Sequence, residues 1–381
     1  VFTADAIYTP TGWIKDQVLA TDQEGTIQSI RTIDPADKVI RFKGVLVPGF
    51  INAHCHLELS HLHGHIPAGL GMVPFIQEVI KARGSHEQEE QQAAVLSALS
   101  YSHEKGIVGI GDISNSGLSA KAKRNHPVRT QTFIELLGLI PEKAEEIIEG
   151  GHKLKEAFQG LSASLTLHAP YSVSKKLIQN VYQASSERMS VHLLESAAEV
   201  ALFESGTGPF VDLYQKMSLS LPSCEGKDPI TYLSGVKPSE RDVIWVHLTE
   251  ASAQQLLQIR TQFQNSWFCL CPRSNLYLHN KLPYLPHFLA YANRICLGTD
   301  SLASNEDLNV WKEAVCLKQA YPELTLHQLV SWLSIQGAHA LGMQDTLGDF
   351  SPGKNPGINL IHISGDQPDS IDQATRVEKI L

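Results

Sequence analysis

The chain has 381 residues, 43% of them hydrophobic and 19% charged, which describes a globular protein with a large core. A formal net charge of −9 argues against a nucleic-acid binder, which carries a basic face. The length exceeds one average domain but fits a single (β/α) barrel of about 250 residues with a small appendage.

The first 45 residues alternate short β-like runs with turns: AIYTPTGWI, DQVLATDQEGTI and KVIRFKGVLVPG. After residue 49 the texture changes. Strand-like apolar runs fall at 49–54, 107–113, 130–138, 163–169, 188–194, 242–248, 267–271 and 294–299. Segments with helical period separate most of them, such as EQEEQQAAVLSALSYSHEKG and EDLNVWKEAVCLKQAY. Eight strands alternating with helices predict βαβ units and a parallel sheet. Residues 205–238, rich in Gly, Pro and Ser, read as the longest irregular insertion and a candidate lid. From Leu347 the chain returns to turns and one strand-like run, GINLIHI, expected to pair with the N-terminal strands.

No apolar run approaches the roughly 20 residues that span a bilayer, and no basic-then-apolar leader precedes Val1. The six cysteines, Cys55, Cys224, Cys269, Cys271, Cys296 and Cys316, have no framework spacing. They suit free thiols in a reducing cytosol, so a cytoplasmic protein with no membrane partner is expected.

The chemistry lies where the strand-like runs end. HCHLELSH closes the first run and sets His54 and His56 one residue apart, a spacing that points both side chains the same way from a strand. Later runs end in Asp112, Glu135, His168, His192, His247 and Asp300, with CPRSN after the seventh. A single histidine at such a place is more often a hydrogen-bonded core or rim residue. An ionisable group at nearly every strand end is a different matter, because such groups are costly to bury without a partner or an ion. First and last strands are neighbours only in a closed eight-stranded barrel. A metal shared by His54, His56, His192 and Asp300 therefore predicts closure.

PGFINAHCH, LHAPYS, HLLES, VHL and GTDS, in that order, resemble the amidohydrolase superfamily in its branch of nucleoside and nucleobase deaminases. The resemblance covers essentially the whole chain. It implies a (β/α)8 TIM barrel over 49–346, with a small composite β-sandwich from 1–48 and 347–381. It also implies one divalent metal, usually zinc and sometimes iron, held by His54, His56, His192 and Asp300. The fourth strand ends in LTLHAPYS with no lysine to bridge two ions, so a mononuclear site is favoured.

The reaction implied is hydrolytic deamination, in which hydroxide made available by the metal adds to the carbon bearing the amine. Glu195, three residues after His192, is the candidate proton shuttle. Asp300 takes the proton of the attacking water and helps expel ammonia. His247 orients or polarises that water, with metal contact left open and a structural histidine as the alternative.

Glu58, Ser60 and His61 are expected to overhang the pocket and touch substrate. His168 and Glu135 are further candidates, Glu135 also as the partner of a ligand histidine. Arg273 suits a carboxylate or phosphate, or else a rim ion pair. Cys55 is expected to pack in the core, and His63, His65, His279 and His287 are given no role.

Within the superfamily, NAHCHLELSHLHG with CPRSNLYL looks most like the aminodeoxyfutalosine deaminase group. That group acts on an adenine nucleoside carrying a benzoate, on a menaquinone route. Adenosine, S-adenosylhomocysteine, methylthioadenosine and guanine deaminases and triazine chlorohydrolases remain alternatives. So do a cyclic amide hydrolase and a non-catalytic small-molecule binder. The expected partner is a small molecule, and a homodimer is left open.

Overall fold

A computed structural model describes residues 1–184, 186–220, 228–234, 240–363, 371–372 and 374–381. Seven strands precede residue 49: β1 (Phe2–Thr3), β2 (Ala6–Thr9), β3 (Gly12–Ile14), β4 (Gln17–Thr21), β5 (Ile27–Thr32), β6 (Ile40–Arg41) and β7 (Val45–Pro48). Eight more follow at the predicted places: β8 (Phe50–Cys55), β9 (Ile107–Ser114), β10 (Arg129–Leu136), β11 (Ser162–Leu167), β12 (Met189–Leu193), β13 (Val243–His247), β14 (Ser266–Leu270) and β15 (Ile295–Leu297). β16 (Ile358–Ile361) and β17 (Val377–Lys379) end the chain.

β8 to β11 form one parallel half-sheet and β12 to β15 another. Hydrogen bonds join the halves at both edges. Between β11 and β12, Thr166 Oγ1 donates to the Ser190 carbonyl (2.6 Å) and accepts from Ser190 N (3.0 Å), and His192 N donates to the His168 carbonyl (2.9 Å). Between β15 and β8, Thr299 N and Asp300 N both donate to the His54 carbonyl, at 3.0 and 3.1 Å. The eight strands thus form a TIM-barrel ring of the α/β class.

Helices cover the ring where the helical period falls. The run with EQEEQQ becomes the helix Gln88–Glu104, and EDLNVWKEAV becomes Val310–Ala320, whose first turn is capped by Asn309 Oδ1 accepting from Trp311 N at 3.1 Å. No described helix is long and apolar enough to cross a membrane.

The remaining strands build two sheets, β5-β4-β1-β6 and β17-β16-β7-β2-β3. The run GINLIHI supplies β16, antiparallel to β7. Phe2, Leu19 and Ile27 from one sheet pack with Ile7, Leu46 and Leu360 from the other.

The reading of 205–238 as irregular needs correction. Its described parts carry the helices Pro209–Lys216 and Pro229–Ser234, started by proline at the first turn. Phe210 stacks on Tyr171 at 4.4 Å, the Tyr214 hydroxyl donates to the Tyr171 carbonyl, and the Tyr232 hydroxyl donates to the Val173 carbonyl at 2.9 Å. These helices brace the turn after β11. Residues 221–227 and 235–238 of the segment lie outside the described residues. Among the described cysteines, all five are free thiols, and Cys55 is fully buried in the core.

Candidate active site

The C-terminal ends of β8, β12, β13 and β15 bring four histidines and one aspartate together. His54, His192, His247 and Asp300 each offer a ligand atom, and all four atoms lie within 4.8 Å of one another. His56 joins them: its Nε2 is 3.2 Å from His54 Nε2 and 3.3 Å from Asp300 Oδ1. His54 Nε2 is 3.7 Å from the same carboxylate oxygen. A tetrahedral ion with ligands at about 2.0–2.1 Å spaces its donor atoms by about 3.4 Å, so these separations fit a bound cation. The donor set, imidazole nitrogen with one carboxylate oxygen, suits zinc or iron.

Three of the donors are aimed by a second bond. His192 Nδ1 donates to the His168 carbonyl at 3.1 Å, which leaves its Nε2 unprotonated and free for a metal. His247 Nδ1 donates to Asn275 Oδ1 at 2.8 Å, so its Nε2 is likewise free. Asp300 Oδ2 accepts from Ser274 Oγ (2.7 Å) and Ser304 Oγ (2.6 Å), turning Oδ1 toward the imidazoles.

Burial sets the charge states. It pushes His54 down to about 3 and holds His168, His192 and His247 below the ordinary imidazole value, so all four are neutral ligand-type rings near pH 7. Burial acts the other way on Asp300, but the imidazoles of His54, His56 and His247 outweigh it and hold the carboxyl well below its usual range. Glu195, with Oε1 3.4 Å from His247 Nε2, is raised well above the carboxylate range, first by burial and then by Asp300 and Glu199.

A cavity of about 180 Å³ opens over the cluster. His168 and Glu135 line it, as the strand-end pattern predicts. Glu135 Oε2 accepts from Asn115 Nδ2 at 3.1 Å, while its buried Oε1 has no hydrogen-bond partner and lies 3.7 Å from His192 Nδ1.

Four expected substrate contacts are not brought to the cavity. Residues Leu57–Leu62 coil into a 3-10 turn instead of an overhanging loop, started by Leu57 N donating to Asp112 Oδ1 at 2.7 Å. That turn aims Glu58 at the backbone of Asn115 and Ser116, its Oε2 accepting from both amides at 3.1 Å and from Ser116 Oγ at 2.8 Å. It buries Ser60 and sets His61 Nδ1 against the Glu58 carbonyl at 3.0 Å. Arg273 faces away, its guanidinium held by Asp307 at 2.8 Å and Glu306 at 3.0 Å, with Glu313 at 3.8 Å. Of its two readings, the ion pair is the one the structure contains.

Sequence reasoning misses Arg83, Asn115, Tyr171 and the helix Met72–Ala82, which supply much of the cavity wall. Tyr171 stands inside LHAPYS but is given no role there, and Arg83, Asn115 and the helix belong to segments that no motif marks.

Comparison with known proteins agrees with this architecture. A model of the Amidohydrolase family matches residues 45–375. An adenosine deaminase from Helicobacter pylori is 28% identical over 347 residues, covering 88% of this chain and 83% of that protein. An aminodeoxyfutalosine deaminase from Nitratiruptor sp. is 26% identical over 387 residues, covering 94% and 90%. The crystal structure of Helicobacter pylori aminofutalosine deaminase with methylthio-coformycin superposes with a TM-score of 0.82 at 25% identity, over 96% of this chain and 92% of that one. An adenosine deaminase from Xanthomonas campestris with bound zinc shares the fold, with a TM-score of 0.76 at 19% identity over 97% and 86%. The family match spans most of the chain and contains every residue of the cluster: this protein belongs to the amidohydrolase family.

Proposed function

We propose that the chain is a metal-dependent hydrolytic deaminase that releases ammonia from the adenine ring of a nucleoside, with 6-amino-6-deoxyfutalosine as the preferred substrate. The observation that carries this reading is Glu195: a buried carboxyl with Oε1 3.4 Å from His247 Nε2, its acidity weakened by burial, lining the cavity beside a set of metal-type donors. Recognition alone needs no such acid, which disfavours a binding protein. The aminodeoxyfutalosine and adenosine deaminases among its relatives support the substrate class.

One divalent ion, zinc or alternatively iron, is proposed to sit among His54, His56, His192 and Asp300, with His247 beside them. When bound, such an ion supplies a water nucleophile activated at neutral pH. The chain's own groups then move protons. Asp300 accepts the proton of the attacking water. Glu195 donates its proton to the ring nitrogen next to the amine-bearing carbon as the C=N bond is lost. His247, locked by Asn275, orients the water through Nε2. The proton held by Asp300 passes to the amine, the C–N bond breaks to release ammonia, and the added hydroxyl gives its proton to Glu195 as the carbonyl forms, which restores the acid. His168 and Glu135 are placed to hydrogen-bond the purine.

The test is ammonia release from a panel of 6-amino-6-deoxyfutalosine, adenosine, methylthioadenosine, S-adenosylhomocysteine and guanine. The aminodeoxyfutalosine is expected to give the highest kcat/KM. Ring opening of dihydropyrimidines in place of deamination would overturn the reading. Metal analysis should find one tightly bound ion per chain; two would contradict the mononuclear site.

A further inference from the structure

The helix Met72–Ala82 presents one face to the cavity: Met72, Phe75, Ile76, Val79 and Ile80, at the spacing of a single helical stripe. The next position on that stripe is Arg83, the residue that caps the helix, and it also lines the cavity. An apolar strip therefore ends in a cation.

Among the described residues that line this cavity Arg83 is the only lysine or arginine, and the carboxyl groups there include Glu135, Glu195 and Asp300. A substrate carboxylate entering there finds in Arg83 a side-chain cation, in a protein of net charge −9. Arg83 is reachable, with 44% of its side chain exposed. It is also held in place. Its Nη2 lies 3.3 Å from Glu58 Oε1, and Glu58 is itself fixed through Oε2 by the Asn115 and Ser116 amides and the Ser116 hydroxyl. A guanidinium has five N–H donors in a planar fork, so one long contact to Glu58 leaves an edge for a carboxylate.

A second observation points to the same place. Ile80 and Leu137 are 58% and 49% exposed, and both line the cavity. Exposed apolar side chains beside a lone cation make a surface that an apolar substituent ending in an anion would cover.

We infer that Arg83 is a specificity-determining residue, which binds a carboxylate carried at the far end of an apolar substituent of the nucleoside. The purine lies over the histidine cluster, the substituent runs along Phe75, Ile76, Val79 and Ile80, and the carboxylate pairs with the guanidinium edge. Glu58 is the residue that positions the guanidinium. This inference rests on the deaminase reading of the same site and adds the group that selects the substrate.

The experiment compares 6-amino-6-deoxyfutalosine with the same nucleoside capped as its methyl ester, in the wild-type enzyme and in Arg83→Ala and Arg83→Lys. The ratio of kcat/KM, free acid over ester, is expected to fall about 10- to 100-fold in Arg83→Ala, chiefly through KM, because a charge-assisted pair is lost. Arg83→Lys should recover part of it, keeping the charge and losing the planar fork. The wild-type ratio should also shrink as ionic strength rises, since the guanidinium is half exposed. Reading a ratio within each variant keeps a general loss of folding from imitating the result. Turnover of both nucleosides with a ratio unmoved by Arg83→Ala overturns this inference alone. Failure of the wild-type enzyme to deaminate either nucleoside overturns the functional reading, and the inference falls with it.

Discussion

Asp300 divides its carboxylate between two jobs. Oδ1 faces the Nε2 atoms of His54 and His56, while Oδ2 is tied down by Ser274 and Ser304. Both serines are fully buried, so neither bond is shared with solvent. Ser304→Ala removes one of the two bonds that turn Oδ1 toward the ion. Metal affinity should fall about 10- to 100-fold, the scale on which such orienting bonds act. Titration of stripped protein with zinc reads this directly, and an unchanged affinity would remove the orienting role. Glu195 calls for the opposite pattern. Glu195→Gln keeps the shape and the hydrogen bonding but cannot shuttle a proton, so turnover should drop by about 10² to 10⁴ with metal content intact. Measurable turnover at the wild-type rate would sink the shuttle role.

At the scale of elements, the site depends on how strands end. Leu194, His247, Leu248 and Asp300 all have positive φ, between 50° and 71°, at the C-terminal ends of β12, β13 and β15. Non-glycine residues there cost energy and concentrate at functional positions. The glycine of GTDS works differently, by letting β15 approach β8. A Cβ on Gly298 would stand 2.8 Å from His54 Cβ and 2.9 Å from Cys269 Sγ. Gly298→Ala should therefore push His54 out of line, costing about 1–3 kcal/mol of stability and lowering metal occupancy together. Denaturant unfolding and metal analysis of the one variant check both halves.

The same element ends explain what is legible in the sequence. His54, His56, His192 and Asp300 can be read because strand periodicity puts side chains of metal-ligating type at one edge of a parallel sheet. The backbone twist at His247 has no residue-type signal, and neither does the pairing of Arg273 with residues 306, 307 and 313, which only loop geometry decides. Glu58 looks like a substrate contact because it follows the metal motif by two residues. The coil over Leu57–Leu62 turns it onto Arg83 instead, and Arg83 itself carries no motif.

For the whole molecule, the metal cluster is a bridge between two halves. His54 and His56 come from the β8–β11 half-sheet, and His192, His247 and Asp300 from the β12–β15 half-sheet, so an ion at the cluster would clamp the ring as well as serve chemistry. An ion at about 1,000 times its Kd adds about 4 kcal/mol to the folded state. The pH dependence of stripped protein follows from the buried groups. His54, at about 3 in the fold against 6.5 when free, stays neutral where the unfolded chain binds a proton, and His168, His192 and His247 are depressed in the same direction. Stability from these groups is present above pH 6.5 and is lost as pH falls toward 3. Glu199 and Glu313, raised by burial to about 7 and 8, act with the opposite sign between 4.5 and those values, and Glu195 and Glu58 are raised by burial in the same direction. They partly offset the histidines down to about pH 4.5. Below that they are protonated in both states and stop contributing to the slope. The loss of stability in stripped protein should therefore be steeper between pH 4.5 and 3 than between 6.5 and 4.5. Zinc should raise Tm most near and above neutral pH and progressively less in acid, where protons compete for the ligands. Thermal unfolding with and without chelator across pH 3 to 8 measures both. A zinc-induced rise in Tm as large at pH 4 as at pH 8 would show that the ion does not bind through these imidazoles.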